Sequence, residues 1–209
     1  MTAVPKYVDK DERRRKVAGA LRRIAARQGL EGVSVRTVAA EAGISAGAVQ
    51  RDFATKDDLL LFALRDSLDA VTERFSRIRI GPGLLTFAEG LRAVLVDLLP
   101  TDEERLAQAR VWAAFYAGAA VSEDFARVLA EYDEQSRAAL RKAVAYAAEQ
   151  GELAPGLEPE QAVELVLVLL DGIWLRVARQ TPDTPEQDGR AAVDAAVAAV
   201  TGRPAPGNG

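Results

Sequence analysis

The chain has no cysteine and no histidine in its 209 residues. Without cysteine there is no disulfide, no thiolate metal ligand and no thiol nucleophile. Without histidine there is no imidazole base and no imidazole ligand. Only an all-carboxylate metal site would remain, and no ligand spacing for one is present. The sequence also lacks a glycine-rich phosphate loop and a nucleophile elbow. No carboxylate pair separates itself from ordinary helix-surface charge, so acid–base catalysis has no candidate residues. These absences argue against an enzyme and against a cofactor. Aromatic residues make up only 6% of the chain, and no stretch alternates apolar and polar residues at period two, which leaves a nearly all-α protein. The most apolar run, Val163 to Trp174, is interrupted by Glu164 and Asp171 and is too short to span a bilayer. The polar start MTAVPKYVDKDERRRK has no secretory-signal character, so a cytoplasmic protein without membrane contact is expected.

Charge is present but unevenly placed. The formal net charge is −4. Residues 1–56 nevertheless carry twelve Lys/Arg against six Asp/Glu, a net of +6, while residues 57–209 carry a net of −10. A basic head on an acidic body is the distribution expected when only the head meets phosphate.

The head contains the most informative stretch, Ser34 to Phe53. Ser34 is a good N-cap, and Val35, Val38, Ala39 and Ala42 repeat at helical spacing behind it. Gly43 supplies a residue tolerant of positive φ where the helix must stop. Ile44 can fill the angle that follows, and Ser45 caps a second helix through Arg51. Helix, glycine turn, helix is the helix-turn-helix pattern of DNA-binding proteins. An ordinary helical hairpin would show the same local signals, and the coincident basic charge favours the DNA reading.

The order Gly29, the Ser34–Gly43 helix, Ile44-Ser45, Gly47-Ala48, Phe53 and Thr55-Lys56-Asp57-Asp58-Leu59 resembles the N-terminal domain of TetR-family regulators. Two positions depart. Gln50 stands where the family usually carries an aromatic, and Ala46 where it often carries a basic residue. From Leu99 to Arg179, Pro100–Glu104, Arg110-Val111-Trp112, Gly151-Glu152-Leu153 and Asp171-Gly172 resemble the C-terminal half of a BetI-like subgroup. That resemblance implies fold and subgroup and does not extend to a choline-related ligand.

The remaining pattern divides the chain into a helix-turn-helix domain (1–55), a ligand-binding and dimerisation domain (56–202) and a disordered tail (203–209). Residues 1–8 read as an arm from which Lys6 and Tyr7 could reach DNA, with Asp9 and Glu12 opening the first helix as a capping box. Thr55 and Asp58 make another such box at the start of a fourth helix, and Gly81-Pro82-Gly83 breaks the chain after it. Five further helices are expected near 84–99, 102–118, 122–150, 159–180 and 185–200, giving nine in all.

Site residues follow from this layout. Gln50 and Arg51 are the base readers, because Gln suits adenine and Arg suits guanine through paired hydrogen bonds. Arg36 and Thr37 would read or clamp the flank, and Ser45 and Lys56 would hold phosphates. Ser34, Ala46, Gly47 and Ala48 complete the DNA-facing set, and Asp52 should point away from it. Lys56 sits in a first helical turn, where a bound phosphate would be favoured by the converging amides; the family resemblance implies the same role. A ligand pocket is expected from Phe87, Leu91, Leu95, Trp112, Phe115, Tyr116, Tyr132 and Trp174, with Arg110 and Asp171 as charged anchors. The bland alternative, that these aromatics simply fill a core, stands beside it. A twofold dimer interface is expected from Val163, Leu167 and Leu170 with Ala192, Ala195, Ala196 and Ala199, since the helix from residue 159 is apolar nearly all round.

Together these features predict a homodimeric regulator, released as a repressor from a palindromic double-stranded DNA operator by an unidentified small-molecule effector. The alternative is a helical small-molecule-binding dimer whose basic head contacts an acidic protein or membrane surface.

Overall fold

The computed structural model describes residues 6–99, 102–179 and 187–202, with the side chains of residues 6–9, 11, 104, 187 and 188 outside that description. Nine α-helices occur among the described residues: α1 (Lys6–Gln28), α2 (Val35–Ala42), α3 (Ala46–Asp52), α4 (Lys56–Ser76), α5 (Phe87–Asp97), α6 (Glu103–Ala119), α7 (Glu123–Glu149), α8 (Pro159–Ala178) and α9 (Gln187–Thr201). A single 3₁₀ turn, Leu30–Gly32, follows α1. No strand forms among the described residues, and one isolated bridge joins Ile80 to Leu85. The all-α reading is therefore correct.

Helix starts follow from caps. Thr86 accepts from the Glu89 amide while Glu89 Oε2 accepts from the Thr86 amide at 2.8 Å, which begins α5 at Phe87. Thr55 and Asp58 form the same reciprocal pair at the start of α4, at 2.9 and 3.0 Å. One expected start needs correction. The chain is helical from Lys6, so Asp9 lies inside α1 and the arm expected over residues 1–8 is cut short. Residues 6–11, KYVDKD, contain no glycine or proline to interrupt helical hydrogen bonding. The side chains of Lys6 and Tyr7, and the whole of the 203–209 tail, lie outside the described residues.

The chain folds as two compact units. One comprises Met1–Asp69 with Arg110–Val128. Its core is built from Val17, Leu21 and Ile24 of α1, Val38 and Ala39 of α2, Val49 of α3, and Leu59, Ala63 and Leu64 of α4, all buried. The Arg14 guanidinium lies 5.9 Å from the Phe53 ring centre and 5.1 Å from that of Phe62, pinning α1 to the end of α3 and to α4. Gly118 is required by packing, because a Cβ there would approach Phe125 Cδ2 to 2.8 Å.

The other unit comprises Ala70–Ala109 with Leu129–Gly209. Phe87, Leu91 and Leu95 of α5, Val144 and Ala147 of α7, Val163 and Val166 of α8 and Val193 and Val197 of α9 form its core. The Arg92–Asp194 ion pair at 3.0 Å ties α5 to α9. Asp97 receives both Arg74 and Arg105, and Arg74 also donates to Gln108 Oε1 at 3.0 Å. Helices α4, α6 and α7 each contribute residues to both units.

Candidate functional site

The helix-turn-helix is assembled by local hydrogen bonds that its own sequence supplies. Ser34 caps α2 by accepting from the Thr37 amide at 3.1 Å. Thr37 completes a capping box, its hydroxyl accepting from the Ser34 amide at 2.9 Å and donating to the Gly32 carbonyl at 2.9 Å. Gly43 ends the helix at φ 68°, ψ 32°, a left-handed conformation that costs glycine little. The Ile44 amide then closes on the Ala39 carbonyl at 3.0 Å. Ser45 starts α3 by accepting from the Ala48 amide at 3.2 Å. Val49 is fully buried and anchors α3 against the core.

With Val49 pointing inward, the opposite side of α3 is left open. Ala46, Gly47, Gln50 and Arg51 are exposed and Ala48 is half-buried. Asp52 turns back onto α1, where its Oδ2 accepts from Arg13 Nε at 2.7 Å and its Oδ1 from Nη2 at 3.3 Å. The hydrogen bond from Arg13 holds the Asp52 carboxyl below the usual carboxylate range, outweighing its burial. The acid is thus withdrawn from the open face of α3.

Ion pairing also sorts the basic residues of this unit. Arg23 and Arg27 both bind Glu41, at 2.6 and 2.7 Å, and their hydrogen bonds depress its carboxyl pKa. Arg22 pairs with Asp66 and Lys16 with Glu12. Among the described residues, Arg15, Arg36, Arg51 and Lys56 make no ion pair. Arg36 is exposed in the first turn of α2, Arg51 is exposed near the end of α3, and Lys56 opens α4. Thr37 is also exposed, but its hydroxyl proton is committed to Gly32. Ser45 accepts one amide and keeps its hydroxyl proton for a further acceptor.

A second feature lies within the Ala70–Ala109 and Leu129–Gly209 unit. A cavity of about 360 Å³ opens among the end of α4, the segment at Ile78 and Ile80, and α5, α7 and α8. Three of the ten residues expected from sequence to form a pocket, Phe87, Leu91 and Tyr132, line it. Leu95 is fully buried in the core and Trp174 is half-buried on α8. Arg110, Trp112, Phe115 and Tyr116 belong to the other unit, where Trp112 stacks near Tyr116 at 6.0 Å and Phe115 meets Phe125 edge-on at 5.9 Å. Asp171 is exposed on α8 and does not line the cavity. The grouping read from sequence is therefore divided, because α6 passes from one unit into the other at Arg110.

Residues missed by sequence reasoning complete the wall: Thr72, Phe75 and Ser76 of α4, and Gln135, Ser136 and Ala139 of α7. Gly90 makes room for the lining side chain of Ile80, because a Cβ there would collide with Ile80 Cγ1. A signal for the α7 wall existed. Tyr132, Gln135, Ser136, Ala139, Leu140 and Ala143 recur at helical spacing and form one stripe. Burial raises the Tyr132 phenol pKa, while a hydrogen bond with Ser136 opposes the rise. Burial likewise raises the Asp133 carboxyl pKa, with the negative charge of Asp171 adding to it.

The residues expected at a dimer interface also separate. Val163 and Ala196 are only 1% and 6% exposed within the single chain, so its own core occupies them. Leu167 and Leu170 line the cavity. Ala192, Ala195 and Ala199 remain exposed along α9. On α8, Val168 and Leu175 are exposed at 66% and 59%, and Gly172 between them has open space around it. No group of metal-ligating side chains occurs among the described residues, and no described helix is long and apolar enough to cross a membrane.

The capped helix-turn-helix with an open, cation-bearing second helix defines a class: DNA-binding regulators. Comparison with known proteins narrows it. A family model described as bacterial regulatory proteins of the tetR family matches residues 19–62, and one described as BetI-type transcriptional repressor, C-terminal, matches residues 87–202. The regulator PksA of Bacillus subtilis (strain 168) is 33% identical over 172 residues, covering 82% of each chain. The regulator BetI of Stenotrophomonas maltophilia (strain R551-3) is 28% identical over 148 residues, covering 71% of this chain and 72% of that one. The crystal structure of a transcriptional regulator from Rhodococcus sp. Rha1 superposes with a TM-score of 0.77 at 35% identity, covering 90% of this chain and 95% of the other. This chain belongs to the tetR family of bacterial transcriptional regulators. Members of that family bind DNA and act as dimers, and they are not normally enzymes.

Proposed function

We propose that the protein is a cytoplasmic homodimeric repressor that leaves a palindromic operator when a small molecule fills the cavity. The observation that carries the DNA half is the open face of α3, with Gln50 and Arg51 exposed beside Asp52 turned back onto Arg13. Gln50 and Arg51 read base edges in the major groove, adenine and guanine respectively. Arg36, Ser45 and Lys56 contact phosphates, which fix register without reading sequence. Thr37 supports Arg36 by shaping the start of α2, its own hydroxyl being engaged with Gly32.

Two copies join through the exposed small and apolar face of α8 and α9, Val168, Leu175, Ala192, Ala195 and Ala199, as a four-helix bundle. The effector half rests on α4. This continuous helix carries Lys56 at its start and the cavity residues Thr72, Phe75 and Ser76 near its end. An effector acts to the extent that it binds more tightly to the conformation with lower DNA affinity.

The test is binding of the purified protein to DNA flanking its own coding region, against random DNA, over a salt series. The expected result is a preference for the native fragment at physiological salt with two chains per site. Loss of preference, with binding erased by salt or by any polyanion, favours a generic basic surface contacting an acidic protein or membrane.

A further inference from the structure

The cavity has walls of two kinds. Its interior is apolar, formed by Phe75, Ile80, Phe87, Leu91, Val166 and Leu170, and Thr72, Ser76, Tyr132, Gln135 and Ser136 supply its polar groups. No Asp, Glu, Lys or Arg lines it. Thr72, Ser76 and Gln135 are exposed residues, whereas Tyr132 and Ser136 are half-buried and hydrogen-bonded to one another. The polar groups thus come from α4 and α7, while α5 and α8 contribute no polar side chain to the lining.

From this distribution we infer that the effector is an uncharged, largely apolar molecule with one hydroxyl or carbonyl group, bound with that group toward Tyr132 and Gln135. The inference rests on the reading of this cavity as the effector site. A cation entering it would leave water without a lining carboxylate to pair with, and an anion without a lining cation. Arg74, beside the lining residue Phe75, lies over its ring but is already committed to Asp97 and Gln108. Asp133 and Asp171 act on the Tyr132 phenol to disfavour its ionisation and so oppose an anionic group there, while the charge of Arg74 acts on the same phenol in the opposite direction and opposes a cation. The volume of about 360 Å³ is at the lower end for ligand pockets, ~300–1,000 Å³.

Calorimetric titration of the full-length protein with 1-decanol, decanoate and decyltrimethylammonium, each kept below its micelle concentration and without DNA, tests the assignment. The expected order places decanol at least about tenfold tighter than either ion, because the ions lose hydration without gaining a counter-charge. Tyr132→Phe should weaken decanol about fivefold, the loss of one hydrogen bond. Ala143→Phe, checked for an unchanged melting curve, should abolish all binding by occupying the cavity. Equal or tighter binding of decanoate or decyltrimethylammonium overturns the neutral-ligand assignment, and so does failure of all three probes to bind. Binding that survives Ala143→Phe places the ligand elsewhere. If decanol binds as expected but does not release operator DNA in a parallel assay, the chemical class of the cavity's ligand stands and the effector reading falls.

Discussion

Replacing Asp52 by Ala removes the acceptor that joins α3 to α1. The lost contacts are a hydrogen bond of 2.7 Å from Arg13 Nε and a longer one of 3.3 Å from Nη2. Charge-assisted hydrogen bonds contribute roughly 1.5–3 kcal/mol each when well formed. The two act on one carboxylate and do not add, and the Arg13 side chain keeps 16% of its surface in water, so screening lowers the sum. The expected destabilisation is about 2 kcal/mol, well above the ~0–1 kcal/mol of an exposed ion pair. For a chain of this size that corresponds to a fall in Tm of about 4–8 °C.

The pH dependence supplies the sharper test. Asp52 has a depressed pKa in the folded protein. Its contribution is therefore complete above the unfolded carboxyl value of about 3.9 and is lost as pH falls through the lower folded value. Melting curves of wild type and Asp52→Ala, followed by circular dichroism, should separate at pH 7 and converge as pH falls below about 3.9 and through the lowered folded value. Asp52→Asn, which keeps an acceptor but not the charge, should fall between them. A Tm difference under about 1 °C at pH 7, or a full difference persisting at low pH, would refute the reasoning.

Three further perturbations bear on other parts of the account. Lys56→Ala should reduce the slope of log binding constant against log salt by about one unit, read by fluorescence anisotropy; an unchanged slope removes Lys56 from the phosphate contacts. Gly43→Ala places a Cβ in open space but at φ 68°, so the cost is backbone strain alone, about 1–2 kcal/mol in a denaturant titration, and Gly43→Asn should cost less. Asp133→Asn should raise Tm at pH 7, because burial and Asp171 disfavour the charged carboxylate. That gain should shrink as pH falls through the raised folded value and vanish below about 3.9.

What could be read in the sequence was local. Ser34, Gly43 and Ser45 act through backbone groups three or four residues away, and the same is true of Thr55 with Asp58. The capping role of Thr37 was not legible, because a capping box usually closes with Glu or Gln at its position. Contacts between distant residues left no such trace. Arg23 and Arg27 reach Glu41 across 18 and 14 residues, so the sequence does not show which basic side chains of α1 are already paired. The pocket was misjudged for a related reason. Aromatic content points to α6, while one wall of the cavity is the mixed Tyr132–Ala143 stripe, whose serine, glutamine and alanines resemble an ordinary solvated helix face. On α8 and α9, Val163 and Ala196 carry the same small or branched side chains as their exposed neighbours, and only packing within the chain separates core from surface.

The central claim is that the open face of α3 reads base sequence, and Arg51→Ala tests it most directly. Affinity of wild type and variant would be measured for the native flanking fragment and for a set carrying each operator base pair replaced in turn. The account predicts a loss of about 1–3 kcal/mol on the native site, with discrimination relaxed at one base pair per half-site and retained elsewhere. A uniform loss across all sequences would make Arg51 a phosphate contact and contradict the assignment of α3 as the reader through this residue.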